Sequence, residues 1–295
     1  MNQYLETKFL RTMFVWLPVL LHPLSVHASK EEASLAEGSS TAHAPVIEVP
    51  RHEEKDVPRN LREESDSAEV RQQAFVNILL PLLLMENEVI ESKRKRMLKH
   101  FSSLARGEAL EIANQEWLRA LAVEYRVDGD PLTDAEVREE LLQRVDIVPV
   151  DLALAQAATE TGWGASHGAR KDRDLFGMTA IRSNRTIRTS SGRLVRAPKF
   201  SSLREAVHTY IHNLNSHDAY RSLRAIRTKL RSERKPLHGI RVADGLLKYS
   251  TRGVHYVKQI RTIIHQNNLN RYINARLLPS RDQVVSLDAN LAYAN

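Results

Sequence analysis

The sequence predicts a mainly α protein with one small β-hairpin and further helices packed ahead of the principal domain. Three observations carry that expectation. After residue 66, apolar side chains recur at helical spacing through several stretches. Ser, Thr or Asp followed three residues later by Glu opens several of them, as Asp66 with Glu69, Thr133 with Glu136 and Ser202 with Glu205. Only Thr186 to Arg196 alternates like paired strands, around the turn Ser190-Ser191-Gly192.

Residues 1–28 resemble a secretory signal. Lys8 and Arg11 precede the apolar run Met13 to Val26, and Val26-His27-Ala28 has the small-x-small cleavage pattern. Pro18 and Pro23 argue against a spanning helix there, so export to the periplasm or medium is expected, with no stable membrane span once the signal is cut. Residues 29–65 are rich in Glu, Ser, Pro and Ala and read as a disordered linker. Residues 66–145 read as a helical region. Its first helix carries Phe75, Ile78, Leu79, Leu82 and Leu83, a kink or break at Pro81, and Lys93-Arg94-Lys95-Arg96 as a solvated end. A second helix, Leu110 to Tyr125, holds Trp117, and a third opens at Thr133. Residues 146–272 form the expected principal domain, with Pro149 as the first position of its central helix. Helices are expected at Leu203–Ser216, Ala219–Arg231, Val242–Tyr249 and Val254–Asn268, followed by a tail, 273–295, without site signals.

The 295 residues are 42% hydrophobic, enough for one sizeable core. No cysteine is present, so disulfides and thiolate chemistry are excluded. The net charge of +7 favours an anionic partner without choosing among nucleic acid, phospholipid and cell-wall polymer. The basic stretch Tyr220 to Arg234 lacks helix-turn-helix spacing or aromatic–basic interleaving, which argues against nucleic acid. His208 and His212 share a helix face, yet no third ligand accompanies them, and neither metal nor cofactor is expected.

Chemistry concentrates in Ala153 to Gly164. An alanine- and leucine-rich helix ends in Glu160-Thr161-Gly162-Trp163-Gly164, where glycine supplies the stop. A carboxyl there lies near the negative end of the helix dipole and beside apolar surface, and both influences raise its pKa, as a general acid requires.

Ala155-Gln156-Ala157-Ala158-Thr159-Glu160-Thr161-Gly162-Trp163-Gly164, followed by Asp174-Leu175-Phe176-Gly177-Met178, resembles the signature of the bacterial glucosaminidase family, which cuts peptidoglycan at N-acetylglucosamine. Within that family the chain resembles the Bax-type proteins, through Leu80-Pro81-Leu82 and Tyr249-Ser250-Thr251-Arg252-Gly253-Val254-His255-Tyr256. The resemblance implies an α-rich, lysozyme-like domain, peptidoglycan glycan strands as partner and Glu160 as general acid. It implies that Trp163 and Phe176 line or support the groove, that Gln156 and Tyr256 meet substrate, and that Tyr249 is the site tyrosine with Tyr256 packed beside it, while Arg188 on the arginine-rich hairpin suits carboxylates of lactyl groups and stem peptides.

One departure matters. Members of the family place a second glutamate on the hairpin, whereas Gly177 to Phe200 contains no Asp or Glu and instead carries Arg182, Arg185, Arg188, Arg193, Arg196 and Lys199. Asp172 and Asp174 are the substitutes on offer for the two-carboxylate mechanism. Otherwise the substrate's N-acetyl group or a muramyl hydroxyl must attack, the latter giving a lytic transglycosylase. Loss of chemistry altogether would leave a peptidoglycan-binding module.

Overall fold

The computed structural model describes residues 46–57, 67–178, 186–188, 194–196 and 199–279. The expected signal peptide lies outside them. Helices dominate, joined by two minimal sheets. One pairs β1 (Glu48–Val49) in parallel with the terminal strand at Arg276–Leu277, and the other is the expected antiparallel hairpin.

Helix α1 (Ala68–Ala105) starts where the Ser67 hydroxyl accepts from the Val70 N–H, and it runs unbroken past Pro81. Its apolar stripe buries Phe75, Leu79, Leu82, Leu83 and Met97. By length and composition α1 could cross a membrane, but 67% of its most apolar window is buried inside the fold, as in a core helix. Helix α2 (Ile112–Glu124) and helix α3 (Ala135–Arg144) follow. The α3 cap is Asp134, not Thr133, since its carboxylate accepts from the Glu136 and Val137 N–H groups at 2.8 and 3.3 Å.

The basic run Lys93–Arg96 is not a solvated helix end, because α1 continues to Ala105 and other elements pack on the run. Lys93 pairs with Glu124 at 2.6 Å, Arg94 donates to the carbonyls of Leu142 and Val145, and Arg96 lies over the Trp117 ring.

Helix α4 (Val150–Thr161) is the centre of the domain, with Pro149 at its N-cap position, one residue before the place anticipated. Leu152, Ala153, Leu154, Ala155 and Ala157 are fully buried. Alanine at so many positions lets neighbouring backbones approach closely. On α4 pack α1, α9 (Val254–Gln266), α8 (Gly239–Val242) and the 3-10 turn Leu269–Tyr272. Between these come α5 (His167–Asp172), the hairpin strands β2 (Thr186–Arg188) and β3 (Leu194–Arg196), α6 (Leu203–Ser216) and α7 (Arg221–Ser232). The last strand is β4 (Arg276–Leu277). In the hairpin Thr186 stands opposite Arg196. Helices on both sides of residue 146 share one core, since α1 lies directly on α4 and α6.

Two expectations about the termini are corrected. Residues 46–57, expected as linker, form an ordered strap, and part of the expected tail is its partner. Arg276 and Leu278 donate backbone N–H groups to Ile47 and Val49, and Leu203 donates to Lys55. Val49 and Val57 are buried, so a few well-placed apolar side chains suffice to hold a segment whose composition is otherwise polar.

The basic helix α7 turns part of its charge inward. Arg224 and Arg227 are fully buried, and Arg227 donates to the carbonyls of Gln143 and Ile147 and to Asn215 Oδ1. Buried Asp146 sits among Arg227, Arg231 and Arg94, its nearest contact being 2.6 Å to Arg231. Burial disfavours its anion, but these guanidinium groups prevail and hold its pKa below the ordinary range.

Gly239 and Gly245 mark the closest backbone approaches. A Cβ on Gly245 would stand 2.2 Å from Leu223 Cα, where backbone cannot yield. Gly245→Ala should therefore destabilise the protein by about 2 kcal/mol or more, read as a lower urea midpoint at unchanged slope. Asp151, fully buried, has its pKa pushed up to about 6 by burial, while bonds from the Gly239 and Leu152 N–H groups pull the other way. A carboxyl whose folded pKa is raised stabilises the fold below its unfolded value near 4 and loses that contribution as pH rises through 6. Relative to wild type, Asp151→Asn should gain about 3 kcal/mol of stability between pH 4 and pH 8, measured by denaturation at each pH.

Candidate active site

Glu160 stands in the last turn of α4, partly exposed, where the chain stops sharply. Gly162 takes the left-handed conformation, φ 57°, and its N–H returns to the Ala158 carbonyl. The Thr161 hydroxyl donates to Ala157 O and accepts from the Gly164 N–H, which locks the turn.

A directed chain of hydrogen bonds reaches the carboxyl from beneath. The Tyr210 hydroxyl on α6 donates to Gln156 Oε1 at 2.7 Å, Gln156 Nε2 donates to the Tyr256 hydroxyl at 3.2 Å, and that hydroxyl donates to Glu160 Oε1 at 2.9 Å. The lengths suit an O–H···O bond at the first step and an N–H···O bond at the second. An amide nitrogen only donates, so once Gln156 Nε2 faces Tyr256 the tyrosine proton must point to Glu160. Burial pushes the pKa values of Tyr210 and Tyr256 upward, which keeps both hydroxyls protonated as donors.

The other carboxyl oxygen faces the Leu175-Phe176-Gly177 turn. A Cβ on Gly177, whose φ is 61°, would lie 2.7 Å from Glu160 Oε2. Glycine therefore supplies both the left-handed backbone and the space above that oxygen. The turn is fixed on three sides. The Phe176 ring stacks on Tyr210 with centroids 3.7 Å apart, the Tyr249 hydroxyl donates to the Phe176 carbonyl at 2.7 Å, and Asp174 Oδ1 accepts from the Met178 N–H. Lys199 clamps the base, pairing with Asp174 Oδ2 at 2.7 Å and donating to the Met178 carbonyl.

Burial raises the Glu160 pKa above the ordinary carboxyl value. The Tyr256 bond and the positive charge of Arg252 oppose the rise, and the negative charge of Asp174 adds to it. Arg252 also lies 5.4 Å from the Tyr256 ring centroid. The helix-end position thus matters chiefly through desolvation.

Several sequence expectations are rearranged. The tyrosines exchange roles, since Tyr256 bonds the carboxyl while Tyr249 anchors a backbone carbonyl and stacks beside it. Phe176 is fully buried and supports the site from beneath, because its ring is covered by Tyr210. Gln156 is likewise fully buried, its amide bonded to both tyrosines. Trp163 points away to pack edge-to-face on Phe75 of α1, at a centroid distance of 6.0 Å. Asp174 has both oxygens engaged, and its role is to shape the turn. Arg188 is exposed on β2, while Arg182, Arg185 and Arg193 lie outside the described residues. His208 bonds Glu86 and His212 bonds the Glu124 carbonyl, and among the described residues no cluster suits a metal.

Tyr210, Arg252 and Lys199 were missed as site residues. Tyr210 falls in the apolar stripe of α6 with Val207, Ile211 and Leu214 and so reads as core. Its hydroxyl was the available signal, because a buried tyrosine needs a partner.

Residues 135–269 match the Glucosaminidase family model, described as mannosyl-glycoprotein endo-beta-N-acetylglucosaminidase. Over these residues, a little under half of the chain, the protein is similar to the glucosaminidase family. It is similar to the Escherichia coli K12 protein named Protein bax, with 32% identity over 186 residues. The alignment covers 63% of this chain and 66% of that relative, slightly under two thirds of its length. No solved structure matches the chain.

Tyr256→Phe removes a donor to the Glu160 anion, so the Glu160 pKa should rise further, observed by NMR titration of the carboxyl. Tyr249→Phe should leave that titration in place, since the Tyr249 hydroxyl is bonded elsewhere.

Proposed function

We propose that the protein is an exported peptidoglycan hydrolase that cleaves β-1,4 glycosidic bonds at N-acetylglucosamine, with Glu160 as general acid. One observation carries the reading: a carboxyl of raised pKa has one oxygen held as acceptor by Tyr256 and its other oxygen in the space above Gly177. The acid proton then belongs on Oε2, the oxygen that Tyr256 does not engage. Protonation of the leaving glycosidic oxygen as the bond breaks is the step that Glu160 supplies.

Asp174 fits poorly as a second catalytic carboxylate, because Lys199 and the Met178 N–H occupy its oxygens. A route with one protein carboxyl fits better, in which the substrate provides the nucleophile. Attack by the N-acetyl oxygen forms an oxazolinium ring that water opens, leaving a reducing sugar. Attack by a muramyl hydroxyl would instead close an anhydro sugar and make the protein a lytic transglycosylase. The exposed Arg188 side chain suits carboxylates of lactyl groups and stem peptides. Export rests on the signal-like residues 1–28 and agrees with a wall substrate.

The test is to treat purified sacculi with the chain from Ser29 onward and identify the products by mass spectrometry. Reducing N-acetylglucosamine ends are expected, falling roughly a hundred- to ten-thousand-fold in Glu160→Gln, which keeps an acceptor for Tyr256. Undiminished release by the variant would remove Glu160 from the mechanism. Anhydromuramyl ends would make it a transglycosylase. Sacculus binding without release by the wild type would make it a binding module.

A further inference from the structure

Trp163 opens a second place where the chain can hold a glycan. Its φ is 60°, a sterically costly conformation for a bulky aromatic residue, and its ring remains partly exposed. The ring forms one wall of a concavity of about 630 Å³ between the start of α1 and the end of α9. That size lies within the range of roughly 300–1,000 Å³ common to ligand sites. Neither Glu160 nor Tyr256 lines it. Gln266 stands ten residues after Tyr256 on α9, about 15 Å along the helix axis.

The lining is unusual in its amides. Gln72 and Gln73 come from α1 with Glu69, Gln266 ends α9, and Asn268 follows two residues on, with Arg271 beside them. Gln73 is preorganised, donating to Asn77 Oδ1 at 2.8 Å and accepting from Arg271 at 2.7 Å. Arg271 in turn lies over the Tyr272 ring, 4.7 Å from its centroid. Gln72, Gln266 and Asn268 make no side-chain hydrogen bond among the described residues. An indole face beside unengaged amides is the chemistry that receives a neutral sugar. The apolar C–H face of the ring lies on the indole, while hydroxyl and N-acetyl groups exchange hydrogen bonds with amides.

We propose that this concavity is an accessory subsite for uncharged N-acetylated sugar residues, holding the glycan strand a few sugars away from the bond at Glu160. The choice of ligand rests on the glycosidase reading above. The subsite is coupled to the acid through Gly162, which ends α4 between Glu160 and Trp163.

The experiment uses the chain from Ser29 onward carrying Glu160→Gln, so that no turnover occurs, titrated with a four-sugar β-1,4-N-acetylglucosamine oligomer. Tryptophan fluorescence should change saturably, and by calorimetry Trp163→Phe, which keeps an aromatic ring against Phe75, should weaken oligomer binding roughly tenfold. Adding Gln72→Ala and Gln266→Ala together, both side chains being at least partly exposed, should weaken binding roughly tenfold with an unaltered melting temperature. Oligomer binding that is absent, or indifferent to both changes, overturns the subsite even if the wild type degrades sacculi. Binding weakened as described, in a protein whose wild type releases no sugar, upholds the subsite and rejects the hydrolase.

Discussion

The structure depends on one demanding arrangement, a helix buried along nearly its whole length that must end in a polar, partly exposed carboxyl. The alanines of α4 meet the first demand by allowing α1, α8 and α9 to approach closely. The second demand is met by the chain of hydrogen bonds from Tyr210 through Gln156 and Tyr256 to Glu160 Oε1. An unpaired glutamine amide at the position of Gln156 would cost more than its bonds contribute, so three helices are bound to one geometry. The left-handed glycine at 162 then ends α4 just beyond the carboxyl.

Charge, too, is drawn into the interior. Net charge alone suggests a basic surface, yet Arg224 and Arg227 are buried and serve loop carbonyls and Asp146. They tie α7 to the segment that leads into α4, a structural use of arginine in which several donors serve several acceptors at once. Asp174 follows the same pattern. A carboxylate beside the acid invites a catalytic role, but Lys199 and a backbone N–H consume it, and it acts instead by holding Gly177 under Glu160.

Much was legible in the sequence because it is written within a few residues. The helical periods, the Ser202 cap, the paired hairpin strands and the helix stop after Glu160 are local, and local sterics and hydrogen bonding decide them. The motif pair also pointed to Glu160 and to the glucosaminidase likeness. Where local reasoning erred, longer-range packing prevailed. Pro81 is accommodated in α1 because its neighbours are buried, and the polar strap at residues 46–57 is ordered because a strand more than two hundred residues away pairs with it.

The sequence by itself determined a helical domain with an acid at the end of an alanine-rich helix, since period, capping and turn chemistry act between near neighbours. Only the tertiary structure decided which tyrosine bonds that carboxyl, which of its oxygens is engaged and which way Trp163 faces. Gln156 meets Tyr210 across 54 residues and Tyr256 across 100, and Tyr256 meets Glu160 across 96. Contacts at such separations leave no mark on the spacing of residues along the chain, because they are selected by how whole helices pack.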